Sequence, residues 1–305
     1  MSGSARVAEA AALTPARKRW TLLAVILGSG IVFLDTSVVN LALPRIGEQL
    51  SSDLFGTLEA QSYVANNYFV TLSALLILAG ALSDYFGRRR MFAIGLIGFA
   101  ATSLLCGIAP TIEFLIISRT LQGAAGALLI PGSLAIITAT FQGEEQGRAF
   151  GLWAGASGAT TILGPFVGGL LVNTISWRMA FLINLPFLLI AYLATVRFVP
   201  ESRDEQATGR FDWLGSLVVA AAVAGLAFGT IRGQQHGWSE PIAVVSLAVG
   251  AVAAIAFPLL MTRRSDPLVP PRLFRSRNFT VTNISSRRSS STARCTWRSP
   301  SLGSS

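Results

Sequence analysis

The chain has 305 residues, of which 52% are hydrophobic and 13% charged, with a mean hydropathy of +0.58 and a formal charge of +9. Soluble domains carry about 25% charged residues, so this composition excludes an ordinary water-soluble globule. The basic residues do not gather on one soluble module, which argues against a nucleic-acid partner, and Cys106 and Cys295 have neither disulfide-framework nor metal-ligand spacing.

Apolar runs long enough to cross about 30 Å of hydrocarbon as α-helix recur along the chain. In order they are Trp20 to Leu43, Tyr63 to Leu82, Met91 to Ile108, Phe114 to Ile137, Phe150 to Val172, Met179 to Val199, Trp213 to Ile231 and Ile242 to Met261. Lipid leaves backbone groups unsatisfied unless they bond within the segment, so helices are expected. The domain reading is a cytoplasmic N-terminus (1–19), a six-helix bundle (20–199), a charged linker (200–212) and two additional transmembrane helices (213–262). A cytoplasmic segment (263–283) leads to an aborted ninth span. Residues 284–305 hold nine serines and four arginines in 22 residues; they read as the product of a frameshift near Asn283, or else as a disordered tail. The fold class is all-α, polytopic, with the second bundle absent.

Basic residues are asymmetric between alternate loops. With the N-terminus inside, fifteen basic residues fall on the cytoplasmic side (Arg6, Arg17, Lys18, Arg19, Arg88, Arg89, Arg90, Arg148, Arg203, Arg210, Arg263, Arg264, Arg272, Arg275 and Arg277), against Arg45, Arg178 and Arg232 outside. The expected location is therefore the cell (inner) membrane, with the lipid bilayer as surroundings and the excess charge as an orientation signal.

Two charges lie deep in these spans. An acid near a helix centre costs about 2.5 to 3.5 kcal/mol on insertion scales, so Asp35 reads as a functional group facing a cavity or a partner. Removal from water disfavours the ionised carboxylate, which suits an acid that exchanges protons; the alternative is an acid that only fastens helices. Arg119 and Asp35 both fall about 8 to 12 Å beneath the same boundary. They can pair there, as a proton switch or as a purely structural ion pair. Gly123 with Ala127, Gly151 with Gly155, and Gly164 with Gly168 are each four apart, a spacing that lets helix backbones approach closely. Pro131, Pro165 and Pro186 can bend their helices, for motion or as static kinks. At "GALSDYFGRRR", Asp84 and Arg88 are four apart and Gly87 allows a tight turn. Lone His236 reads as an interfacial surface residue. No nucleophile with a base, paired carboxylates or metal cluster appears, so no enzyme, cofactor or metal site is expected.

Several stretches together resemble the major facilitator superfamily, and within it the fourteen-span drug:proton antiporter branch. Gly80, Leu82, Asp84, Gly87, Arg88 and Arg89 resemble the loop signature between spans two and three. Arg119, Gln122, Gly123 and Gly126 are similar to the span-four motif, and "GPFVGG" (Gly164, Pro165, Gly168, Gly169) to the span-five antiporter motif. "LDTSVVNLALP", "SWRMAFLINLP" and "FDWLGS" add to the match. Tyr63 stands where the family often has tryptophan, and Thr160 replaces a glycine. The resemblance implies two six-helix bundles around a cavity, with Asn40, Gln122, Gly123 and Gly126 as cavity candidates. It gives Asp35 a proton-coupling role, Arg119 a proton-relay role, the Asp84 loop a conformational latch, and Gly164 with Pro165 a close-packed bend. The expected partners are protons and a small amphipathic drug-like substrate, exported by the intact parent. The 305-residue chain, lacking the C-terminal bundle, is expected to be inactive alone. A membrane protein that binds partner helices without transport is the competing expectation.

Overall fold

The computed structural model describes residues 13–50, 56–203 and 211–263. Nine helices form within them: α1 (Pro15–Gln49), α2 (Thr57–Phe86), α3 (Arg88–Gly107), α4 (Ile112–Thr140), α5 (Gly143–Thr174), α6 (Met179–Leu182), α7 (Asn184–Phe198), α8 (Trp213–His236) and α9 (Pro241–Arg263). No strand occurs among the described residues. Counting α6 and α7 as one crossing, Met179–Phe198, eight segments are long and apolar enough to span a membrane. The expected all-α polytopic fold is the fold observed. Residues 1–12 and 264–305, including the suspected frameshifted tail, lie outside the described residues, as does most of the charged linker.

Polar caps set the starts of three helices. α1 starts five residues before Trp20, where Thr14 Oγ1 accepts from the Arg17 backbone N–H at 3.4 Å. α4 starts where Thr111 Oγ1 accepts from Phe114 N at 3.2 Å, and α8 where the Asp212 carboxylate accepts from Gly215 N at 2.9 Å. The sixth span is one expected helix observed as two. Pro186 has no N–H to offer the Leu182 carbonyl, and the break falls at Ile183, between that carbonyl and Asn184.

Apolar surface faces outward as well as inward. Ile117, Phe166, Val252 and Ile255 are each more than 60% exposed, an arrangement that suits hydrocarbon, where lipid tails solvate leucine and isoleucine as well as another helix does. Association must then come from close packing and buried hydrogen bonds. Glycine seams supply the first. A Cβ on Gly123 would sit 2.5 Å from the Tyr68 carbonyl oxygen, so α4 and α2 touch backbone to backbone. Gly164 lies against Ser37, and a Cβ on Gly168 would be 3.1 Å from Val38 Cα, which seats α5 on α1. Gly126 faces Phe99 and Leu72 at 3.3 to 3.4 Å. The expected pair Gly151 and Gly155 makes no such contact: a Cβ at either would meet nothing within 4 Å, because their face of α5 points away from the bundle.

α8 and α9 form a hairpin on the flank of α2. At one end Phe211 meets Tyr85, Phe86 and Trp213 with ring centroids 5.6, 6.0 and 4.7 Å away. At the other, Arg232 joins Glu59 at 3.0 Å and Glu240 at 2.9 Å.

Candidate functional site: a buried polar cluster between α1 and α4

Asp35 and Arg119, distant in sequence, meet inside the six-helix bundle. Arg119 Nη1 donates to Asp35 Oδ2 at 2.5 Å, and the two side chains are 0% and 1% exposed. Their common depth follows from antiparallel α1 and α4, and the Gly123 seam holds Arg119's helix close to α2. The guanidinium makes further contacts: Nη1 donates to Gln122 Oε1 at 2.7 Å, Nε donates to the Val64 carbonyl at 3.3 Å, and Cζ lies 4.1 Å above the Tyr68 ring. A buried cation needs such satisfaction, since an isolated charge in low dielectric is strongly unfavourable.

The carboxylate is equally surrounded. Asp35 Oδ1 accepts from Asn184 Nδ2 at 2.8 Å and from Gln122 Nε2 at 3.2 Å. Ser103 Oγ sits behind both amides, accepting from Gln122 Nε2 at 2.8 Å and Asn184 Nδ2 at 3.3 Å. Cys106 Sγ donates to Gln122 Oε1 at 3.6 Å. Five helices thus contribute: α1 Asp35, α2 Tyr68, α3 Ser103 and Cys106, α4 Arg119 and Gln122, and Asn184 at the start of α7. All seven of these residues are buried.

Asp35 was expected to face a cavity or a partner; its side chain meets Arg119 in the interior of the bundle. Of the four cavity candidates, Gln122, Gly123 and Gly126 are enclosed between helices and Asn40 is exposed. Gly164 and Gly168 pack on α1, whereas a Cβ on Gly169 would meet nothing within 4 Å. Pro165 is inside α5 without interrupting it. Sequence reasoning passed over Asn184, Ser103 and Tyr68. Asn184 lies in "SWRMAFLINLP", and its depth near the same boundary as Arg119 was the available signal.

A second polar assembly holds the α2–α3 turn. Gly87 has φ +110°, a conformation side chains disfavour, and a Cβ there would be 2.6 Å from Glu201 Oε1. Arg88 donates to Asp84 Oδ1 through Nε at 3.0 Å and Nη2 at 2.8 Å, and reaches the Ala135 carbonyl with Nη1 at 3.4 Å. The last turn of α7 and the segment after it close over the turn. Arg88 N donates to the Ser202 carbonyl at 2.9 Å, Arg89 N to Glu201 Oε1 at 3.2 Å, and Arg89 Nη2 to the Val196 carbonyl at 2.6 Å. Gly80 faces Pro131 across the α2–α4 contact, 3.7 Å from a Cβ position.

His236, read as an interfacial surface residue, is exposed and places Nε2 3.2 Å from Glu59 Oε1, and Arg232, expected in a loop, belongs to α8. Hydrogen bonds from Arg232 hold the Glu240 carboxyl below its ordinary range.

The family model described as Major Facilitator Superfamily matches residues 25–282. The chain belongs to the major facilitator superfamily. Among its curated relatives, the tetracenomycin C resistance and export protein of Streptomyces glaucescens is 36% identical over 84% of this chain and 47% of that protein. The multidrug resistance protein Stp of Mycobacterium tuberculosis is 36% identical over 86% and 48%. The probable actinorhodin transporter of Streptomyces coelicolor is 37% identical over 81% and 43%. The chain thus spans about half the length of the curated relatives it matches. A peptide transporter bound to sulfate shares the fold at TM-score 0.60 and 13% identity, over 85% of this chain and 56% of that one. This superfamily member is therefore a multi-span membrane protein of a transporter family whose named relatives include antibiotic and multidrug resistance proteins.

Proposed function

We propose that the chain supplies the N-terminal bundle of a proton-coupled exporter of amphipathic drug-like molecules, of the fourteen-span antiporter branch, in the cell membrane with its N-terminus cytoplasmic. The observation that carries this reading is the fully buried Asp35–Arg119 pair joining α1 to α4. Ionised Asp35 is bound by a cation it neutralises. A proton on Asp35 removes that charge, weakens the pair and leaves Arg119 to its Tyr68, Val64 and Gln122 contacts. The α1–α4 connection then has two states set by one proton, the condition for protonation to bias a conformational equilibrium. The Asp84–Arg88 turn, bolted to α4 and to the segment after α7, is the latch at the cytoplasmic end. Asn40, on an exposed stretch of α1, is proposed to meet substrate. Gln122, Gly123 and Gly126 shape the wall behind it.

Alternating access takes two bundles rocking about a site near the bilayer midplane. The 305 residues alone are accordingly proposed not to complete an export cycle. The open face of α5, where Gly151, Gly155 and Gly169 meet nothing and Phe166 is 72% exposed, is where a second bundle would seat. The same face supports the competing reading, a non-transporting protein that binds partner helices.

Everted vesicles carrying the complete transporter test the proposal. Adding an amphipathic cation such as ethidium should dissipate a preformed pH gradient, and Asp35→Asn should abolish this at equal expression. Undiminished dissipation by Asp35→Asn would remove the coupling role.

A further inference from the structure

Every group bonded to Asp35 is a donor. Arg119 has no lone pair to accept with. Gln122 uses its oxygen for Arg119 Nη1 at 2.7 Å and for the Cys106 thiol at 3.6 Å, and its nitrogen for Asp35 and Ser103. Tyr68 Oη lies against the Val32 carbonyl at 3.4 Å, and its ring is covered by the Arg119 guanidinium. This set suits a carboxylate and leaves a carboxylic acid with nowhere to direct its proton.

Asn184 is the exception. It is 0% exposed, its nitrogen donates to Asp35 Oδ1 at 2.8 Å, and its Oδ1 is a buried acceptor without a hydrogen-bond partner. Buried polar atoms left in this state ask for an explanation. The two ends of an amide are nearly equal in size, so rotation about Cβ–Cγ exchanges them without repacking. With nitrogen toward Asp35 the amide serves the carboxylate; with oxygen toward it, the amide accepts from the acid. Ser103 Oγ, 3.3 Å from the nitrogen, can accept in the first orientation and donate in the second. One end of the amide is unpaired either way, so the rotation adds no new unsatisfied group.

We propose that Asn184 is a positioning residue that turns its amide over when Asp35 takes up a proton, giving the protonated acid the acceptor it otherwise lacks. One proton leaves a hydronium ion for Asp35 Oδ1, so that one O–H bond breaks and another forms with water released, and Asn184 exchanges a donated hydrogen bond for an accepted one. The inference rests on the proton-carrying reading of Asp35.

Infrared difference spectra of the purified 305-residue chain in lipid nanodiscs, acid minus alkaline, test it. The expected result is a carboxylic C=O band that is absent in Asp35→Asn. It should be accompanied by a side-chain amide shift that moves with ¹³C-asparagine labelling and is also absent in Asp35→Asn. Asn184→Leu should keep the carboxylic band, move it to higher wavenumber as the acid loses its acceptor, and lose the amide shift. The labelled, unsubstituted chain carries the test even where Asn184→Leu fails to fold. A carboxylic band without an amide shift overturns the inference and leaves the proton-carrying reading standing. If no Asp35-dependent band appears at any pH, both fall.

Discussion

At the scale of single residues, Asp35 and Arg119 follow opposite logic from the apolar side chains around them. Breaking a buried pair leaves an uncompensated charge, and removing one partner costs about 3 to 5 kcal/mol in such cases. Arg119→Leu is therefore expected to destabilise the purified chain by about 3 to 5 kcal/mol in denaturant unfolding, and Asp35→Asn in the same background to recover part of that loss. Independent, additive losses would show that the two charges are not coupled. The pairing was legible in the sequence because depth along two helices follows from rise per residue. Depth could have placed Asn184 level with the pair, but depth says nothing about rotation about the helix axis, and for Asn184 and Ser103 rotation decides whether the side chain faces the cluster or the lipid.

At the scale of helices, cohesion rests on glycine seams, and the seams are directional. Gly123→Ala places a methyl group 2.5 Å from a backbone oxygen that cannot rotate away. α2 and α4 must separate, and the expected loss is about 1 to 3 kcal/mol. Gly155→Ala meets open space and should leave unfolding of the chain unchanged or raise stability by up to about 1 kcal/mol, since alanine favours helix over glycine. Equal effects at the two sites would refute the assigned packing. The four-residue spacing of glycines is the same in both places, so sequence alone could not separate the buried seam from the open face. The α8–α9 hairpin poses the same problem. Its two spans were legible from hydropathy, whereas the pairing of Arg232 with Glu59 needed knowledge of which helix the hairpin lies on. Glu240, held by Arg232 below its ordinary value of 4.5, contributes fully above that pH and progressively less as pH falls through its lowered value. Arg232→Ala should accordingly lower the melting temperature at neutral pH, with the difference from the unsubstituted chain shrinking as pH drops below about 4.5. A difference that stays constant with pH would place the clamp's strength elsewhere.

At the scale of the molecule, the described helices make one bundle with a hairpin attached to α2 and one face of α5 left open. The eight crossings and their order were legible because hydrocarbon imposes a length that few soluble sequences match. The central claim is that Asp35 exchanges a proton in step with substrate. Its most direct measurement is the number of protons released when an amphipathic cation is added to the solubilised complete transporter in weakly buffered solution. The account predicts release on substrate addition, lost in Asp35→Asn while the substituted protein still binds the cation. Equal release from both proteins would contradict it.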